Sequence, residues 1–126
     1  MVSREGSMMR PKMGETLLKC HENYAQARWV LLRGRDRGKI KACAFGLLCR
    51  EAGIELSVGQ NELTTDDTEN VLDYYDVPLG TRLSCPVNSR CNYDWPLYVD
   101  QLILHLNDSH HWSFESIGNL LVESSI

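Results

Sequence analysis

The chain has 126 residues, 43% of them hydrophobic and 24% charged, which suits one soluble globular domain and is too short for two. No apolar run approaches the roughly 18–20 residues that a spanning helix needs. The net charge of −4 hides a split that excludes a uniformly basic nucleic-acid binder: residues 1–50 carry 11 Lys/Arg and 4 Asp/Glu, net +7, and residues 51–126 carry 2 and 13, net −11.

Residues 1–12 read as a flexible tail, rich in Ser, Gly, Arg and Met, with Met8, Met9 and Met13 as further candidate starts. The tail holds no apolar segment of signal-peptide length, so a cytoplasmic location is expected. The five cysteines (Cys20, Cys43, Cys49, Cys85, Cys91) then read as reduced thiols, several of them buried, and not as a disulfide framework. Residues 13–126 are expected to form a single globular domain.

Glu15 to Trp29 predicts a helix, because Leu17, Leu18, Tyr24, Ala25 and Leu31 approximate a 3.6-residue stripe. His21 falls on its apolar side. Gly34 to Gly38 predicts a turn, and Trp29–Leu32 and Lys39–Ala42 flank it either as a short hairpin or as helix ends. Lys41 to Ala52 predicts a second helix with Cys43, Ala44, Leu47 and Leu48 inward and Gly53 as its stop. After an irregular stretch, Asp66 and Glu69 have the spacing of a capping box. Val71, Leu72 and Tyr75 give that third helix its apolar face, and it ends before Pro78.

Leu79 to Tyr93 reads as a loop. Asp94 is the expected cap of a fourth helix, with Pro96 in its first turn and Val99, Leu102, Ile103 and Leu106 facing the core. Asn107-Asp108 ends it. Ser113 caps a last helix striped by Phe114, Ile117, Leu120 and Leu121. The fold class expected is mainly α: a compact single domain of four to five helices, with room for one short β-hairpin.

Three constellations bear chemistry. Cys85, Cys91, His105 and His110 follow Cys-x5-Cys, thirteen residues, His-x4-His. Thiolate sulfur and imidazole nitrogen at such spacing suit a tetrahedral zinc site, although the Cys spacing exceeds the usual two to four. His111 competes for the last position. Four protein ligands would make the zinc structural. The second is a basic turn of Arg33, Arg35, Arg37, Lys39 and Lys41, able to contact nucleic-acid phosphate. The third is an acidic face of Asp66, Asp67, Glu69, Asp73 and Asp76, able to imitate that phosphate before a basic partner. If the two halves pack together, internal pairing or a dipolar surface follows.

A cysteine-dependent enzyme would need Cys43 or Cys49 beside a base such as His21. There is no dinucleotide fingerprint and no phosphate-cradling Gly-x4-Gly-Lys-Ser/Thr loop. The segment Trp112 to Leu121 looks like the first half of a helix-turn-helix without a recognition helix after it.

Two short motifs carry a resemblance. Ala42-Cys43-Ala44-Phe45-Gly46-Leu47-Leu48, with His105-Leu106-Asn107-Asp108 and Trp112-Ser113-x-Glu115-x-x-Ile117, resembles a loose group of small bacterial and phage proteins of unknown function. The group shows a Cys-Ala-x-Gly helix and a C-terminal Asn-Asp element. It often lacks the second His, which makes Asn107-Asp108 a helix stop with Trp112 packed on it. The resemblance implies a mobile-element or host accessory protein and supplies no chemistry. The function expected is therefore a non-enzymatic protein-interaction module, such as an accessory or anti-defence protein. A zinc-stabilised nucleic-acid-binding module is the alternative, and a cysteine-dependent enzyme a third.

Overall fold

In the computed structural model, which describes residues 10–87, 91 and 95–126, five α-helices alternate with short strands. They are α1 (Met13–Cys20), β1 (Tyr24–Gln26), β2 (Leu32–Asp36), β3 (Lys39–Ala42), α2 (Ala44–Glu51), α3 (Thr65–Tyr74), β4 (Arg82–Leu83), β5 (Leu97–Tyr98), α4 (Val99–Asp108) and α5 (Phe114–Glu123). Of the described residues, helix accounts for 44% and strand for 14%, the strands forming two small sheets. The mainly α expectation is thereby corrected: the domain is mixed α/β.

The first correction lies at Tyr24. The helix expected to reach Trp29 stops at Cys20, and one 3-10 turn (His21–Asn23) leads into β1. Tyr24, Ala25 and Gln26 pair in parallel with Ile40, Lys41 and Ala42. Three residues carry no visible alternation, so pairing with β3 decided their state. β2 and β3 form an antiparallel hairpin, completing the order β1-β3-β2. Its turn is only Arg37-Gly38, with φ of 56° and 84°. Positive φ at both central residues is the mark of a type I′ turn, whose twist matches the strands. A register shift between Leu32 and Gly34 makes Arg33 a bulge.

Lys41 and Ala42 belong to β3, so α2 starts at Ala44, three residues later than expected. Cys43 caps it, its Sγ accepting from the Gly46 amide at 3.3 Å. All of Ala44 to Cys49 is buried, and Gly53 (φ 87°) stops the helix as expected. The cap of α3 is Thr64, whose Oγ1 accepts from the Asp67 amide at 3.1 Å, and not Asp66. Val71, Leu72 and Tyr75 are buried, and the Tyr75 hydroxyl donates to the Leu48 carbonyl at 2.7 Å. Val99, Leu102, Ile103 and Leu106 of α4 are buried, and Ser113 caps α5. The expected Asp94 cap lies outside the described residues.

The core closes where α1 crosses α5. A Cβ on Gly14 would sit 2.7 Å from the Gly118 carbonyl oxygen, and one on Gly118 would sit 3.1 Å from the Gly14 carbonyl oxygen. The two backbones touch, which only glycine permits. No helix among the described residues is long and apolar enough to cross a membrane.

Candidate metal centre

The site is assembled on α4. The β4–β5 ladder pairs Arg82 with Tyr98 and Leu83 with Leu97, and the Val99 amide donates to the Thr81 carbonyl at 3.2 Å. That holds Cys85, two residues beyond β4, beside the helix. Cys91 brings its Sγ to 3.2 Å from His105 Nε2 in the last turn of α4. Just past the helix, the His110 amide donates back to the His105 carbonyl at 3.3 Å. The two imidazoles meet edge to face, with centroids 4.5 Å apart.

The donor atoms of Cys85, Cys91, His105 and His110 all lie within 4.8 Å of one another, and every one of the four residues is half-buried. A tetrahedron with Zn–S and Zn–N bonds of about 2.3 and 2.0–2.1 Å has edges of about 3.4–3.8 Å. The cluster therefore needs only small side-chain adjustments to hold a metal ion. His110 Nε2 is buried without a hydrogen-bond partner among the described residues, a costly arrangement that a bound cation would relieve. Burial, then the neighbouring His110, lowers the His105 pKa, favouring the neutral imidazole that ligates metals. Burial raises the Cys85 thiol, and the adjacent Cys91 adds to it; two crowded sulfurs resist ionising together unless a cation joins them. His111, the competing ligand, is exposed with φ 57°. The geometry selects His110.

Cys43 and Cys49 make no hydrogen bond with His21 among the described residues. That imidazole lies 3.9 Å from the Glu115 carboxylate, while Cys43 is engaged at the α2 N-terminus. Burial pushes the Cys43 thiol up to about 11 and raises Cys49 further. A nucleophile requires the opposite shift; both thiols are core residues.

The Asn-Asp element is more than a helix stop. Asn107 is fully buried, inside α4. Its Oδ1 accepts from Gln26 Nε2 at 2.7 Å and from the Ala44 amide at 3.0 Å. Its Nδ2 donates to the Ala27 carbonyl at 2.9 Å and to Asp108 Oδ1 at 2.8 Å. The Asn-Asp motif thus meets the Cys-Ala-x-Gly motif through the first amide of α2. Gln26 Nε2 also donates to the Trp112 carbonyl at 2.8 Å, and the Asn107 amide fastens β1, α2 and α4 together.

The charged patches stay apart. Arg33, Arg35, Arg37 and Lys39 are exposed and Lys41 is half-buried. None of the five forms an ion pair among the described residues, where the pairs are Arg10–Asp73 and His21–Glu115. The pleat puts Lys39 opposite Asp36 and Lys41 opposite Gly34, while Arg35 faces Ile40; the cations therefore occupy both faces of the hairpin. Of the acids, Asp66, Glu69, Asp73 and Asp76 are exposed and Asp67 is half-buried. The basic turn and the acidic face do not pair with each other among the described residues; Asp73 pairs instead with Arg10, at 3.8 Å.

Sequence reasoning missed a groove of about 480 Å³ beside the cluster, lined by Trp29, Trp95, Leu97, Gln101, Leu104, His105, Asp108 and Ser109. The sequence offers Trp29 only as a helix end or the start of a hairpin strand, not as part of a site.

No family model, curated protein or solved structure matches the chain.

Proposed function

We propose that the protein is a non-enzymatic binding module fastened by one structural zinc ion, with the β2–β3 hairpin as its contact for nucleic-acid phosphate. The four-donor cluster within 4.8 Å carries the reading. Two sulfurs and two imidazole nitrogens suit zinc, and four protein ligands leave no open position for substrate. The ion would supply folding energy by tying the segment around Cys85 and Cys91 to α4. The cations of Arg33, Arg35, Arg37 and Lys39, in no ion pair among the described residues, support the phosphate contact.

Elemental analysis of chelator-free full-length protein is expected to find about one zinc per chain, and less than about 0.2 sinks the reading. Cys91→Ser should lose the metal. At metal a thousandfold above its dissociation constant the linkage is worth about 4 kcal/mol, so melting should fall by roughly 10–15 °C. Melting unchanged by the substitution and by chelator would remove the ion's structural role.

A second reading, protein binding through the acidic face, rests on a groove of about 370 Å³. It is lined by Glu69, Asn70, Asp73, Asp76, Val77, Pro78 and Leu79, and Leu79 is 64% exposed. Carboxylates around an exposed apolar side chain suit a basic polypeptide. Joint Glu69→Gln and Asp76→Asn substitution should weaken polylysine binding by about tenfold at low salt. Unchanged affinity ends this reading.

A further inference from the structure

We propose that the groove between Trp29 and Trp95 stacks unpaired nucleobases, so that the nucleic acid bound is single-stranded. The inference rests on the hairpin reading for its phosphate contacts and on separate residues for its base contacts.

Two large indoles stand in solvent at one groove: Trp29 is 63% exposed and Trp95 53%. Trp29 has φ 70°, a left-handed conformation that is a real outlier for a bulky side chain. The strain is held by a specific bond, the Trp29 amide donating to Asp108 Oδ1 at 2.9 Å. Asp108 is itself held by Asn107. Residues held in such sparsely populated backbone regions cluster at functional sites. On the floor, Gln101, His105 and Asp108 offer donors and acceptors of the kind that meet base edges, and Leu104 offers an apolar surface.

Charge selects the occupant. Bonds from the Ala27 amide to the Ala42 carbonyl (2.9 Å) and from the Cys43 amide to the Leu31 carbonyl (3.3 Å) pin both ends of the Trp29 loop at the end of β3. β2 therefore leaves from the groove loop and runs out to the turn. Arg33 sits at the bulge beside the loop, Arg35 two residues further along β2 and Arg37 in the turn, so cations extend from the groove loop to the tip of the hairpin. A strand with a base in the groove would lay its phosphates along that row. Duplex bases hide their faces in the stack, whereas unpaired bases offer them to aromatic side chains. The cluster shares His105 with this groove.

The test is a titration of zinc-loaded full-length protein with a twelve-nucleotide oligothymidine and with a duplex of equal length, read by tryptophan fluorescence at two salt concentrations. We expect the single strand to quench the signal and to bind at least about tenfold tighter than duplex. Trp29→Ala and Trp95→Ala should each weaken the single strand by about tenfold or more, as stacking is worth about 1–3 kcal/mol per base. They should leave duplex affinity and the salt slope unchanged, and Trp→Phe should restore part of the loss. Arg33→Ala and Arg35→Ala should weaken both ligands and lower the salt slope by about one each. Equal affinity for both ligands, with the tryptophan variants silent, overturns the groove proposal and leaves the hairpin reading standing. Tryptophan-dependent quenching untouched by the arginine variants overturns the hairpin reading instead. Quenching by tetramethylammonium without any by oligothymidine overturns the proposal in favour of a cationic ligand held by two indoles and Asp108.

Discussion

Gly46→Ala is expected to abolish stable folding. A Cβ at this position would lie 1.8 Å from the Leu31 carbonyl oxygen and 2.7 Å from its carbon. Both atoms are main chain, so no rotamer change makes room. Leu31 is buried and its carbonyl accepts from the Cys43 amide, so moving it away also loosens the α2 N-terminus. The loss should exceed about 4 kcal/mol, a large fraction of the 5–15 kcal/mol typical of a domain. Circular dichroism during urea unfolding reads it. Gly118→Ala serves as the comparison: its Cβ would meet the flexible Leu18 side chain at 3.0 Å and the Gly14 carbonyl at 3.1 Å, so it should cost about 1–3 kcal/mol. A Gly46→Ala protein within about 1 kcal/mol of the parent would show that α2 does not pack against Leu31 this closely.

Asn107→Leu should be nearly as damaging. The shapes are alike, but the leucine leaves the Ala44 amide and the Ala27 carbonyl inside the core without their partner. Unsatisfied buried groups cost about 1–3 kcal/mol each, so about 3–5 kcal/mol in total is expected. Asn107→Asp retains acceptance from Ala44 and Gln26 yet turns the donation to Asp108 into repulsion between carboxylates. At neutral pH it should be no more stable than the leucine variant. If both substitutions cost less than about 1 kcal/mol, the four hydrogen bonds are not the fastening described.

The legible parts of the chain were those governed by local rules over several turns. The apolar stripes of α3, α4 and α5 announced Val71, Leu102 and Ile117 as core, and Ser113 announced its cap. The metal cluster was legible as ligand spacing despite the long Cys-x5-Cys, because coordination depends on residue type more than on secondary structure. The strands were not legible. β4 and β5 have two residues each and β1 three, too few for a period of two to show. Tyr24 and Ala25 happened to fall on a helical stripe, and only pairing with Ile40 and Lys41, far along the chain, reveals β1. The Cys-Ala-x-Gly motif was visible but unexplained, since the reason for its glycine is the carbonyl of Leu31 and the reason for its first amide is Asn107. Trp29 was misread because nothing local announces a tryptophan in a left-handed conformation; its anchor is Asp108.

The crossing of α1 and α5 has a consequence in time. Gly14 and Gly118, whose backbones touch there, are roughly a hundred residues apart, and contacts of such long sequence range form late because loop closure must come first. During synthesis at about 5–20 residues per second, α1 waits roughly 5–20 s before its partner exists. For that interval its apolar face, with Met13 and Leu17 fully buried in the finished domain, lacks its α5 partner. The docking of α1 on α5 therefore waits until nearly all of the described residues have been made.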